Sequence, residues 1–250
     1  MKIAICLSGQ PRSLKYTIPS IINYFQGDYE VDYFCHSWNY NTWKQKTNEI
    51  FHSPNEVIET ETLYSDLSVF KPKKALVQSF EEGTIRGPWH SLCYSLMMSN
   101  NLKKQYEIEN NFRYDVVVKA RYDVIYDPNK KFTPKVTCDD NLVLFINHSG
   151  RAPAEYNRIN ISDVFFFGNS YTMDVVTDIY RFAYAKHSNF RADNIENLGP
   201  GVLISEYCNN TNVIFKNYSH QEVIYRKEMI PTDPITDFEE IQKNHRWYYQ

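Results

Sequence analysis

The stretch VVVKARYDVIYDP, residues 116–128, decides how the rest of the chain is read. Val116, Val117 and Val118 are β-branched and follow the polar run Arg113-Tyr114-Asp115. An apolar run of that kind belongs to a central strand covered on both faces. The run then stops being apolar: Lys119, Arg121 and Asp123 come next. Charges just past a buried strand sit at its carboxyl end, where open α/β sheets bind their ligands. The stretch thus predicts a helix-covered sheet and points to a site at its edge.

Working outward, Lys2 to Cys6 reads as a first strand, closed by the loop Ser8-Gly9-Gln10-Pro11-Arg12. Ser13 to Gln26 patterns as a helix, with Ser13 as its cap and Pro19 as a kink or a late start. Residues 31–35 form a second strand that ends in His36-Ser37-Trp38-Asn39. A polar, irregular stretch follows, with a short helix near residues 55–60, and then a third strand at 75–77. Pro88 to Glu107 carries helical spacing, with Pro88 in the first turn and Leu92, Leu96, Met97 and Leu102 on one side. Beyond the strand at 115–120, strands are expected at 142–146 and 164–167 and a helix at 171–186. A helix from about residue 202, strands near 213–217 and 222–226, and a last helix near 238–249 complete the pattern. Alternation first and strands later predict an α/β fold, a mixed sheet flanked by helices. No repeat, low-complexity tract or linker divides residues 1–250, so a single domain is expected.

Composition narrows the function classes. A formal net charge of −3 gives no general electrostatic footprint for nucleic acid. The five cysteines form no C-x-x-C pair, which argues against a zinc site. Their odd number, and an N-terminus MKIAICLSG without the long apolar region of a signal sequence, predict a reducing, cytoplasmic setting, bacterial or that of a viral host. No apolar run reaches the length of a membrane span. Sequons at Asn147, Asn160, Asn209 and Asn217 read as incidental. An aromatic content of 16%, with 20 Tyr, fits either a Tyr-rich core rim or a groove for flat polar ligands. The P-loop, the dinucleotide G-x-G-x-x-G, the G-x-S-x-G elbow and H-E-x-x-H are all absent. With only eight glycines, phosphates would have to be held by side chains or a metal ion.

Four segments in order carry a likeness: CLSGQPR at 6–12, DYFCHSWN at 32–39, KARYDVIYDP at 119–128 and ISDVFFFGNSYTMDVV at 161–176. Together they resemble GT-A-fold glycosyltransferases, nearest the microbial and viral group related to WavE-type lipopolysaccharide and capsule synthesis proteins. The resemblance implies a Rossmann-like GT-A sheet, with a nucleotide-binding half over about 1–128 and an acceptor half over about 129–250. It also implies transfer of a sugar from a nucleotide-sugar donor to a glycan or polysaccharide acceptor.

In such enzymes an Asp-x-Asp motif after a central strand holds a divalent cation, Mn²⁺ or Mg²⁺, against the donor diphosphate. Here the position reads Arg121-Tyr122-Asp123. The resemblance makes Asp123 the metal-facing carboxylate, with His220 or His245 completing the metal shell. Arg121, in place of the first acid, becomes a phosphate contact, and the substitution leaves metal dependence open. Ser8, Gly9 and Gln10 would meet the base or ribose, and Arg12 the diphosphate. His36 and Trp38 end the second strand on the same side; Trp38 either stacks on the ligand or closes a core edge. For an inverting transfer the base is Asp163, with Glu206 and Asp193 as alternatives, whereas a retaining transfer needs none. Two other classes stand beside this one. The altered motif also suits a non-catalytic nucleotide- or glycan-binding protein, while a nucleotidyltransferase would carry a more Gly-rich first loop.

Overall fold

Residues 1–41, 56–79, 88–134, 142–151, 159–189, 199–218 and 222–224 are described in the computed structural model of the chain. In chain order the elements are β1 (Lys2–Gly9), α1 (Leu14–Tyr24), β2 (Glu30–Trp38), β3 (Tyr40–Asn41), β4 (Glu56–Val57), α2 (Thr60–Ser68) and β5 (Lys74–Gln78). After them come α3 (Pro88–Asn110), β6 (Val116–Ala120), β7 (Val124–Tyr126), β8 (Val143–Arg151) and β9 (Ile159–Gly168). The last are α4 (Ser170–Val176), α5 (Ile179–Asn189), α6 (Gly199–Asn210), β10 (Ile214–Asn217) and β11 (Glu222–Ile224).

Seven strands form one sheet in the order β10-β8-β9-β6-β1-β2-β5. β1 runs parallel to β2 and β6, β5 parallel to β2, and β10 parallel to β8. β9 is antiparallel to both of its neighbours. The chain is therefore α/β, with a mostly parallel mixed sheet flanked by helices. Two small antiparallel pairs lie outside it: β3 with β4, and β7 with β11.

Alternation along each strand divides the core. Ile3, Ile5 and Leu7 of β1, with Val116 and Val118 of β6, pack against Leu14, Ile18 and Ile21 of α1. Ala4 and Cys6 of β1, with Val117 of β6, meet Cys93 and Leu96 of α3 on the opposite face. Each fully buried Leu, Ile or Val contributes about 1.5–3 kcal/mol relative to exposure. Both layers take up aromatic residues, and the first holds a continuous cluster of them. Tyr24 stacks on Tyr126 at 4.1 Å and Phe145 on Phe167 at 4.9 Å, with Phe25, Phe132, Phe165 and Tyr218 around them.

Some local expectations shift. The helix expected near 55–60 begins instead at Thr60, because Leu63 and Leu67 give α2 an apolar pair one turn apart to bury. The helix expected at 171–186 is two. Asn169 caps α4 by accepting from Thr172 N at 2.8 Å, and the β-branched run Val175-Val176-Thr177 ends it. Ser13 holds the N-cap position of α1 without a side-chain cap bond. The expected helix near 238–249 lies outside the described residues. Among the described residues no helix is long and apolar enough to cross a membrane.

Candidate functional site

From β1 the chain passes through α1 to β2 and later to β5, all on one side. Helix α3 then carries it back across the sheet to β6, on the other side of β1. The carboxyl ends of β1 and β6 are thus a switch point, and such a point opens a crevice. Arg12 follows β1 there, and Arg121 and Asp123 follow β6. β9 adds a third contributor. Its Phe166 lies opposite Lys119, so the antiparallel residues before it run past the end of β6 and bring Asp163 alongside.

These four side chains are joined. Arg121 grips Asp123 with a two-pronged contact, Nε to Oδ1 at 2.7 Å and Nη2 to Oδ2 at 2.7 Å. Arg12 donates from Nη1 to the same Oδ2 at 2.9 Å. Arg121 Nη1 reaches Asp163 Oδ2 at 3.0 Å, and Arg12 Nε donates to Gln10 Oε1 at 3.1 Å. The Asp123 side chain is 2% exposed, whereas those of Arg12 and Arg121 keep 18% and 15% of their surface in solvent. Burial works against the charge on Arg121, but the carboxylates of Asp123 and Asp163 outweigh it and raise its pKa. Charge-assisted forks of this kind are the strongest hydrogen bonds available to side chains.

The backbone is pinned to match. Gly9 has φ +127°, a conformation that suits glycine, and Arg12 has φ +30°, a positive value uncommon outside glycine. Arg12 N donates to Asn41 Oδ1 at 2.7 Å, and Asn41 Nδ2 to Glu56 Oε2 at 2.9 Å, so the β3–β4 arm holds the loop. On the other strand, Thr17 Oγ1 of α1 donates to the carbonyl of Tyr122, and Tyr122 OH to the carbonyl of Leu7 at 3.3 Å. Arg121 and Asp123 are therefore fixed from both sides of Tyr122.

A second group lies at the ends of β2 and β5. His36 is fully buried, with Nε2 2.8 Å from Gln78 Oε1 and Nδ1 2.7 Å from Ser95 Oγ. A carbonyl oxygen only accepts, so Nε2 carries the proton and Nδ1 accepts from the serine. Burial lowers the His36 pKa to about 4, against a smaller opposing effect of Gln78. Trp38 is 2% exposed, stacked on Tyr94 at 5.4 Å and tilted against Tyr40 at 5.7 Å. Tyr40 bonds Gln10, which connects this group to the arginines.

The structure thus brings Gln10, Arg12, Arg121, Asp123 and Asp163 together. Ser8 and Gly9 form the strand end, opposite His36 and Ser37 in register. His36 and Trp38 stand beside the cluster within a buried polar and aromatic group. Glu206 is half-buried on α6, a helix that packs against β9, and does not join the hydrogen-bonded cluster described above. His220, His245 and Asp193 lie outside the described residues. Asn41, Glu56, Gln78 and Ser95 were not anticipated as partners, since nothing local marks them. Lys119 is buried too, donating to the carbonyl of Val164 at 3.3 Å with Phe166 beneath it at 5.8 Å.

The fit to a divalent cation is poor among the described residues. No three His, Cys, Asp or Glu side chains among them stand together as a ligand set. Both oxygens of Asp123 already accept from guanidinium groups. No family model matches the chain, and no curated protein is found to be similar to it.

Proposed function

We propose that this protein is a glycosyltransferase that moves a sugar from a nucleotide-sugar donor to a glycan or polysaccharide acceptor. The observation that carries the reading is the meeting of Arg12, Arg121, Asp123 and Asp163 at the carboxyl ends of β1 and β6. The four-segment resemblance to GT-A glycosyltransferases supports it independently. In the transfer, the bond from the anomeric carbon to the diphosphate oxygen breaks and the nucleoside diphosphate leaves with the electron pair. A new bond forms to the acceptor hydroxyl oxygen, whose proton passes to a base. The guanidinium edges answer the charge that gathers on the leaving group. Asp163 serves an inverting transfer as base, because its Oδ2 is held by Arg121 while its Oδ1 makes no hydrogen bond among the described residues.

A second reading is favoured by one observation: both oxygens of Asp123 already accept from the two arginines. That arrangement also suits a protein that binds a nucleotide or glycan without turnover. A thermal-shift screen of UDP-, GDP-, CDP- and dTDP-sugars, followed by assay of released nucleoside diphosphate, separates the two. Transfer predicts that one donor raises Tm and is slowly hydrolysed even without acceptor. A shift with no release supports the non-catalytic reading, and no shift with any donor overturns the transferase reading and leaves glycan binding without turnover.

A further inference from the structure

The acidic position after β6 behaves here as an anchor for cations. Asp123 is almost fully buried and its two oxygens accept three N–H donors from two guanidinium groups at 2.7–2.9 Å. An ion on either oxygen would have to enter at about 2.0–2.6 Å, through the space those donors fill, and would face two positive charges at contact. Asp163, the other carboxylate of the cluster, is turned to Arg121 as well.

The arginines, by contrast, are presented. Each side chain keeps part of its surface in solvent, and each is oriented by a second acceptor, Gln10 for Arg12 and Asp163 for Arg121. Nη1 of Arg12 and Nη2 of Arg121 donate to one and the same oxygen, so the two guanidinium groups meet at Asp123. Adjacent planar forks suit two adjacent phosphate groups, each of which accepts paired hydrogen bonds. The left-handed backbone at Arg12 is held by Asn41 through a 2.7 Å hydrogen bond to the Arg12 N–H.

We infer that Asp123 orients Arg12 and Arg121 in place of binding a metal, and that the pair grips the diphosphate of the donor without a divalent cation. This rests on the donor reading above, with Asp123 as a positioning residue and the arginines as the groups that touch phosphate.

The test is calorimetric binding of UDP, GDP, CDP and dTDP to the full chain, in excess EDTA and in Mn²⁺. One nucleotide is expected to bind in both, with affinities within about threefold. Arg12→Lys keeps the charge but loses the fork, and should weaken binding about tenfold equally in both buffers, the size of one charge-assisted hydrogen bond. Asp123→Asn should weaken it in both as well, while circular dichroism shows each variant folded. Binding that collapses in EDTA, or a folded Arg12→Lys variant with undiminished affinity, overturns the inference and leaves the donor reading standing. Failure of all four nucleotides in both buffers overturns the donor reading itself.

Discussion

His36 shows how far one residue's environment departs from its sequence context. Its ordinary pKa of 6.5 falls to about 4 in the fold, because burial disfavours the charged ring. Between those values the unfolded chain binds a proton that the native chain does not, so stability rises with pH across that window. The contribution is complete above about pH 6.5 and is lost as pH falls through 4, a swing of about 3 kcal/mol. His36→Gln, which cannot titrate, should flatten that part of the profile in urea unfolding. A profile identical to that of the unaltered protein would show that the ring is not held neutral. The sequence marked His36 as the end of a strand, and that much was legible from five residues. Its burial was not, because Gln78 and Ser95 come from β5 and α3.

At the scale of elements, α3 buries charge where a helix against a sheet ordinarily buries aliphatic groups. Lys103 is 0% exposed and sits 2.8 Å from Asp174, 3.0 Å from Glu107 and 2.7 Å from Ser170 Oγ. Glu107 in turn accepts from Ser170 and from Tyr114 N, so every partner has an answer and α3 is locked to α4. Lys103→Met removes the only buried cation of this clamp among the described residues and should cost about 3–5 kcal/mol. Arg113→Ala, which removes an exposed partner of Asp174, should cost less than about 1 kcal/mol. Equal losses for the two in chemical denaturation would overturn this ranking. The helix itself was legible from its apolar spacing and from Pro88. Its clamp was not, since Ser170 and Asp174 reach Lys103 from α4, another element. β6 was the easiest strand to read for the opposite reason: a strand covered on both faces declares its burial locally, in three successive valines.

For the whole molecule, burial also governs its thiols. Cys6, Cys35, Cys93 and Cys208 are buried. Burial pushes Cys6, Cys93 and Cys208 up to about 12 and raises Cys35 as well, so little reactive thiolate forms at neutral pH. Of the five cysteines, no more than one, Cys138, should react quickly with Ellman's reagent in the native protein, and the rest only on unfolding. Rapid labelling of two or more would contradict the packing of both faces of the sheet.

Strand β9, antiparallel to both of its neighbours in the seven-stranded sheet, also bears on how the chain is made. A nascent chain emerges from its N-terminus. Once residue 126 is out, β5, β2, β1 and β6 can assemble, and Arg12, Arg121 and Asp123 can find one another. Asp163 does not yet exist at that moment, and the backbone of Val117 to Lys119 is an unprotected edge until β9 is synthesised and pairs with it. A transcript cut short before residue 159 therefore yields a ribbon ready to zip onto its neighbours, and the strand that seals it is the one that delivers the last carboxylate of the cluster.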